Sequence, residues 1–127
     1  AEHIAAALTP EEMLPAVAQG AIGIECRSDD SRTRTFLAAL NHGESAERIN
    51  AERALLAALD GSCRTPIAAL AEIAADGRMR LRALIARPDG TTIHRTERLG
   101  AASDGNKMGQ DAGEELRLKG GADFFTE

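Results

Sequence analysis

The chain has 127 residues, a formal net charge of -5, 43% hydrophobic content and 2% aromatic content, with no Trp or Tyr. That is enough for one ordinary domain or two small pieces, with a core built mainly from Ala, Leu and Ile. The acidic balance weighs against a nucleic-acid or anionic-membrane partner, and no apolar run approaches the length of a membrane span.

The opening "AEHIAAALTP" has neither a basic n-region nor a long apolar h-region, so it does not read as a signal peptide. Starting at Ala1 in mid-pattern, the chain is expected to be a piece of something longer. Ile4, Ala7 and Leu8 suggest the end of a helix, stopped before Pro10, and "TPEEMLPAVAQG" reads as a linker. "AIGIECR" alternates, with Ile22, Ile24 and Cys26 on one side, and predicts a strand. That strand has no sequential partner for its backbone groups, which points to a missing parent sheet. "SDDSRTRTFLAAL" predicts a short helix capped by Ser28 or Asp29.

"NHGESAERINAERALLAALDG" is the strongest helical pattern. Asn41 and Glu44 are spaced as in a capping box. Ile49, Leu56 and Leu59 share a face with Leu55 and Ala46 beside it, while Arg48, Glu52 and Arg53 fall toward the polar side. Gly61 is the expected stop. "PIAALAEIAADG" predicts a strand ending at an Asp76–Gly77 turn, and "RMRLRALIAR" a second, with Met79, Leu81, Ala83 and Ile85 opposite Arg78, Arg80 and Arg82. Pro88 to Gly90 gives another turn, and "TTIHRTERL" a polar edge strand. A last helix is capped at Ser103 or Asp104, buries Met108, Ala112 and Leu116, and stops at Gly120–Gly121, after which "ADFF" plugs a gap. The fold class is therefore α+β: a three-stranded antiparallel sheet covered on its apolar face by helices, in the order α-β-β-β-α. A boundary falls near Leu40–Asn41.

Two cysteines, with no export signal, read as reduced cytosolic thiols. Cys26 reads as a strand-core residue. Cys63, in "LDGSCRTPIAAL", sits between a helix and a strand; it is either a small buried hydrophobe or an attachment point. His3, His42 and His94 are scattered and supply no Cys–His pair, and no metal-ligand spacing occurs. "GNKMGQ" lacks the Lys-Ser/Thr ending of a phosphate loop. The arginine stripe is the wet face of a sheet or, as a rival, a surface for double-stranded RNA. Against that rival, "SDGNKMGQD" lacks the basic cluster such domains need. An inert interaction domain with a packing thiol is the other alternative.

"LPAVAQGAIGIECRSDDSRTR", "LAALNH", "AERALLAALDGSCRTPI" and "LRALIARPDG" together resemble the C-terminal part of the porphobilinogen deaminase (hydroxymethylbilane synthase) family. The resemblance runs roughly from Pro10 to Gly120, and the blocks "PAVAQGAIGIE" and G-[GS]-C-x-x-P-I are specific to that family. It implies a transferase of tetrapyrrole (heme) biosynthesis, acting on porphobilinogen. A dipyrromethane primer is expected on Cys63 through a thioether, with Ser62 and Gly61 leaving the approach uncrowded. Porphobilinogen is deaminated to an azafulvene that the primer's terminal pyrrole carbon attacks. Four rounds and a hydrolysis then release hydroxymethylbilane.

Gln19 and Gly20 match the family's hinge segment and are expected to contact the pyrrole chain. The resemblance also implies a division into 1–18, the end of a preceding domain and hinge; 19–40, a strand-helix segment of a missing first domain; and 41–127, the C-terminal cofactor-attachment domain. The catalytic aspartate and most carboxylate-binding arginines map onto no residue here, so the chain alone is expected to be inactive and Cys63 a free thiol. The expected location is the cytoplasm, with no nucleic-acid, membrane or metal partner. The full-length protein is expected to be a monomer, and the isolated chain to pair with a second copy through 21–27.

Overall fold

The computed structural model describes residues 3–61 and 65–126. Three α-helices and three strands follow in the order α1 (Ser31–Ala38), α2 (Gly43–Ala58), β1 (Ile67–Ile73), β2 (Arg78–Ala86), β3 (Ile93–Ala101) and α3 (Gly105–Gly120), with a 3₁₀ turn at Ala102–Asp104 before α3. The sheet is antiparallel in the order β1-β2-β3.

Alternation sets which face of the sheet is dry. Ile67, Ala69 and Ala71 of β1 and Met79, Leu81, Ala83 and Ile85 of β2 are buried on the side that α2 and α3 cover. Both hairpins turn where glycine takes a positive φ, +79° at Gly77 and +73° at Gly90. Asp76 and Asp89 each accept a backbone N–H two residues on, at 3.0 Å, which locks the turns. β3 is polar because only one side of it meets α3. There Thr96 donates to Glu115 at 2.7 Å, and Arg98 reaches Glu115 at 2.6 Å and Asp111 at 2.5 Å.

α2 and α3 pack closely because α3 presents glycines at a four-residue spacing. A Cβ on Gly109 would stand 2.2 Å from the Ala51 carbonyl oxygen, and one on Gly113 2.6 Å from the Ala58 Cβ. This seam lets Leu55, Met108, Ala112 and Leu116 fill the space above the sheet without aromatic bulk. Phe124 closes the end of the core, buried against the His94 ring at 5.1 Å.

Several local expectations need correction. α1 is capped by Asp30, whose carboxylate accepts from Thr33 N–H at 2.9 Å, rather than by Ser28 or Asp29. α2 is capped by His42, whose Nδ1 accepts from Ser45 N–H at 3.3 Å, so the Asn41–Glu44 spacing marked the start one residue early. The left-handed residue that ends α2 is Asp60, at φ +51°, not Gly61. Asp60 N–H then bonds Ala57 O at 3.1 Å and Gly61 N–H bonds Leu56 O at 3.0 Å, the paired closure of a Schellman motif. No helix forms at Ile4–Leu8. The segment 21–27 makes no ladder pairing among the described residues and forms no strand, since alternation creates a strand only where a neighbour supplies the ladder.

Candidate functional site

Two regions carry the residues singled out in the sequence. Ser62 and Cys63 lie outside the described residues. Their described flanks are anchored at both ends: Gly61 by the Schellman closure, and Thr65 through its carbonyl, which accepts from Ile67 N–H at 2.7 Å. Gly61 packs closely against its neighbours. A Cβ there would stand 2.4 Å from Ile67 Cδ1 and 2.8 Å from Leu56 Cδ1, so its missing side chain seats the end of α2 against the start of β1. Cys63 thus follows a helix end fixed to the core and precedes a strand fixed to the same core.

The second region is a cleft of about 640 Å³ between the turn at Ala18–Gly20, the 21–24 segment and the N-terminal half of α2. Gln19 and Gly20 both line it. Gln19 Oε1 accepts from Ala16 N–H at 3.0 Å, and Gly20 takes φ +81°. The turn begins with Ala18 at φ +57°, a left-handed conformation unusual for a residue with a Cβ. Ile22, Leu40 and Ile49 give the cleft an apolar wall; His42 and Arg48 give it polar groups. Arg48 pairs through one terminal nitrogen with Glu44, one turn before it, while its buried Nε has no hydrogen-bond partner. The cleft therefore places an amide, a guanidinium paired with Glu44, the Glu52 carboxylate and an apolar surface side by side.

The stretch before the turn is tied down at two points. Ala16 makes an antiparallel bridge to Ala68, with Ala69 N–H donating to Pro15 O at 3.1 Å. Glu11 pairs with Arg82 at 2.7 Å, and that guanidinium holds the Glu11 carboxyl below the usual carboxylate range.

Sequence reasoning missed Glu52. It is 5% exposed, and both carboxylate oxygens accept backbone N–H groups: Oε1 from Ala71 at 2.8 Å and Oε2 from Ala18 at 2.7 Å. Its charge assigned it to the polar side of α2. Its spacing, three before Leu55 and seven before Leu59, was the signal for the buried side. Cys26 also differs from expectation: with no ladder around it, its side chain is exposed. Two of the three stripe arginines are matched by carboxylates, Arg80 with Glu97 at 2.8 Å and Arg82 with Glu11 and Glu72, which reduces the positive charge open to a polyanion.

The family model "Porphobilinogen deaminase, C-terminal domain" matches residues 46–118. The chain belongs to the porphobilinogen deaminase family. A second family model, "Porphobilinogen deaminase, dipyromethane cofactor binding domain", matches residues 1–35. The chain is 58% identical over 124 residues to the porphobilinogen deaminase of Paracoccus denitrificans (strain Pd 1222), covering 97% of this chain and 39% of that protein. It is 51% identical over 127 residues to the chloroplastic porphobilinogen deaminase of Pisum sativum, covering 98% of this chain and 34% of that one. The chain thus spans under two fifths of the length of these porphobilinogen deaminases. Among the described residues no helix is long and apolar enough to cross a membrane, and no group of His, Cys, Asp and Glu could hold a metal ion.

Proposed function

We propose that this chain is the C-terminal part of a porphobilinogen deaminase, a transferase that joins four porphobilinogen units head-to-tail into hydroxymethylbilane. The observation that carries this reading is identity of 58% to a protein of that name across 97% of the chain. Cys63 would hold the dipyrromethane through a thioether, with Ser62 beside it. When bound, that group supplies the pyrrole end to which substrate units are added. Cys63 keeps it attached, so the growing chain does not diffuse away between additions and proximity is retained. A thioether also resists reduction, which suits a cytoplasmic enzyme with free thiols.

Gln19 and Gly20 border the cleft and are assigned to contact the pyrrole chain, with Arg48 facing the same space. Segment 1–18 is assigned to the end of a preceding domain and the hinge, 19–40 to a strand-helix segment of a first domain, and 41–127 to the C-terminal cofactor-attachment domain. The exposure of Ile22 at 91%, Ile24 at 59% and Phe36 at 64% supports a first domain that normally covers them. The 127-residue chain alone is assigned no catalytic acid or base and no turnover.

The test is Cys63→Ser in the full-length protein. Bilane formation should fall at least a hundredfold, and the intact mass should lack the dipyrromethane. Undiminished turnover with the primer retained elsewhere would overturn the assignment.

A further inference from the structure

Glu52 sits on α2, yet its carboxylate joins two other segments. Oε1 takes Ala71 N–H from β1, a bond within the C-terminal domain and fully buried. Oε2 takes Ala18 N–H from the turn that borders the cleft, and this bond is only partly buried. The two differ in what they join: one fixes the carboxylate to the sheet, the other fixes the turn to the carboxylate.

The turn has reason to need holding. Ala18 stands at φ +57° and Gly20 at φ +81°, two left-handed residues flanking Gln19. Alanine pays for that conformation where glycine would not. Within the turn, Gln19 N–H bonds Ala16 O at 3.0 Å and Ala21 N–H bonds Ala18 O at 3.1 Å. These local bonds close the turn, but Glu52 is what connects its first residue to α2. Carboxylate geometry matters here, because each oxygen accepts and neither amide can serve an amide NH₂.

We propose that Glu52 is a positioning residue that latches the Ala18–Gly20 turn to the domain bearing Cys63, and so sets where Gln19 and Gly20 stand in the cleft. This rests on the reading of that cleft as the pyrrole-chain site, although the latch itself can be measured without turnover. Glu52→Gln leaves one oxygen for two amides. The Ala71 bond, deeper and inside the domain, keeps it, and the Ala18 bond is lost.

The experiment is amide hydrogen exchange on the full-length protein and on its E52Q, A18G and E52Q/A18G variants, with steady-state kinetics on porphobilinogen alongside. In E52Q, exchange at Ala18 should accelerate at least tenfold while the β2–β3 ladder amides stay as protected as in the parent. KM should rise more than kcat falls, because the turn is misplaced rather than the chemistry removed. A18G, which relieves the left-handed cost, should recover at least half of the lost kcat/KM in the double variant.

Equal acceleration across the whole sheet without rescue would overturn the proposal in favour of a purely structural carboxylate. So would an Ala18 amide that exchanges at coil rates in the parent, a measurement that stands even if E52Q does not fold. If porphobilinogen is not turned over by the parent, the function fails while the exchange pattern still decides the latch.

Discussion

Gly109 of α3 lies against the backbone of Ala51 in α2, so close that an added Cβ would meet the Ala51 carbonyl oxygen at 2.2 Å and the Ala54 Cβ at 2.9 Å. The obstacle is backbone and a short side chain, neither of which can swing aside. Gly109→Ala therefore sets a helix-propensity gain of about 1 kcal/mol against overpacking of roughly 1–3 kcal/mol, and the clash wins. The variant should unfold at lower urea than the parent chain, with Gly113→Ala behaving alike and Gly43→Ala, which has open space around it, showing no such loss.

Glu115 joins α3 to β3 and should make stability depend on acid. Hydrogen bonds from Lys119, Thr96 and Arg98 hold its carboxyl down to about 2 from an ordinary 4.5. A folded-state value below the unfolded one means the stabilisation is fully present above pH 4.5 and is lost as pH falls toward about 2. The carboxylate is about a third exposed, so after allowing for solvent screening the loss is roughly 1 kcal/mol. Unfolding midpoints measured from pH 6 down to about pH 2 should converge for the parent and Glu115→Gln. A constant gap between them would contradict this account.

Phe124 supplies the aromatic plug that the rest of the core lacks. It is 4% exposed, its ring tilted against His94 with centroids 5.1 Å apart and set edge-on to Phe125 at 5.4 Å. Phe124→Ala should cost about 3 kcal/mol, and Phe124→Leu less than half of that, read from chemical denaturation. An equal cost for both would point to the ring contact rather than to filled volume.

The isolated 127-residue chain exposes what the proposed first domain would cover. Cys26 should react with a soluble thiol reagent at close to the rate of a free peptide thiol, and be strongly protected in the full-length protein. Sedimentation of the isolated chain should show concentration-dependent self-association through 21–27, suppressed by Ile22→Lys. A strict monomer with unchanged Cys26 reactivity in both forms would contradict the domain assignment.

The fold was legible because its signals are local. Alternation from Met79 to Ile85, the two Asp-Gly turns and the Met108–Ala112–Leu116 spacing each reside in a single short stretch. The family was legible because "PAVAQGAIGIE" and "GSC" followed by "PI" are contiguous blocks. Helix caps were harder: Asn41, His42 and Glu44 offer competing side chains within one turn, and which one bonds depends on how the chain enters the helix.

What the sequence determined by itself was order and periodicity, hence three paired strands with helices over one face, and the position of a thiol between α2 and β1. Tertiary structure alone decided the destination of Glu52, the exposure of Cys26 and the crowding at Gly61. The physical reason is the same for all three. Each depends on a neighbour that the local pattern does not name: Ala18 and Ala71 for the carboxylate, a missing ladder for Cys26, and for the glycine Ile67, which the fold brings back onto α2. A residue's type states which contacts it can make; only the folded chain brings the partner, and a buried carboxylate goes where two unsatisfied N–H groups converge.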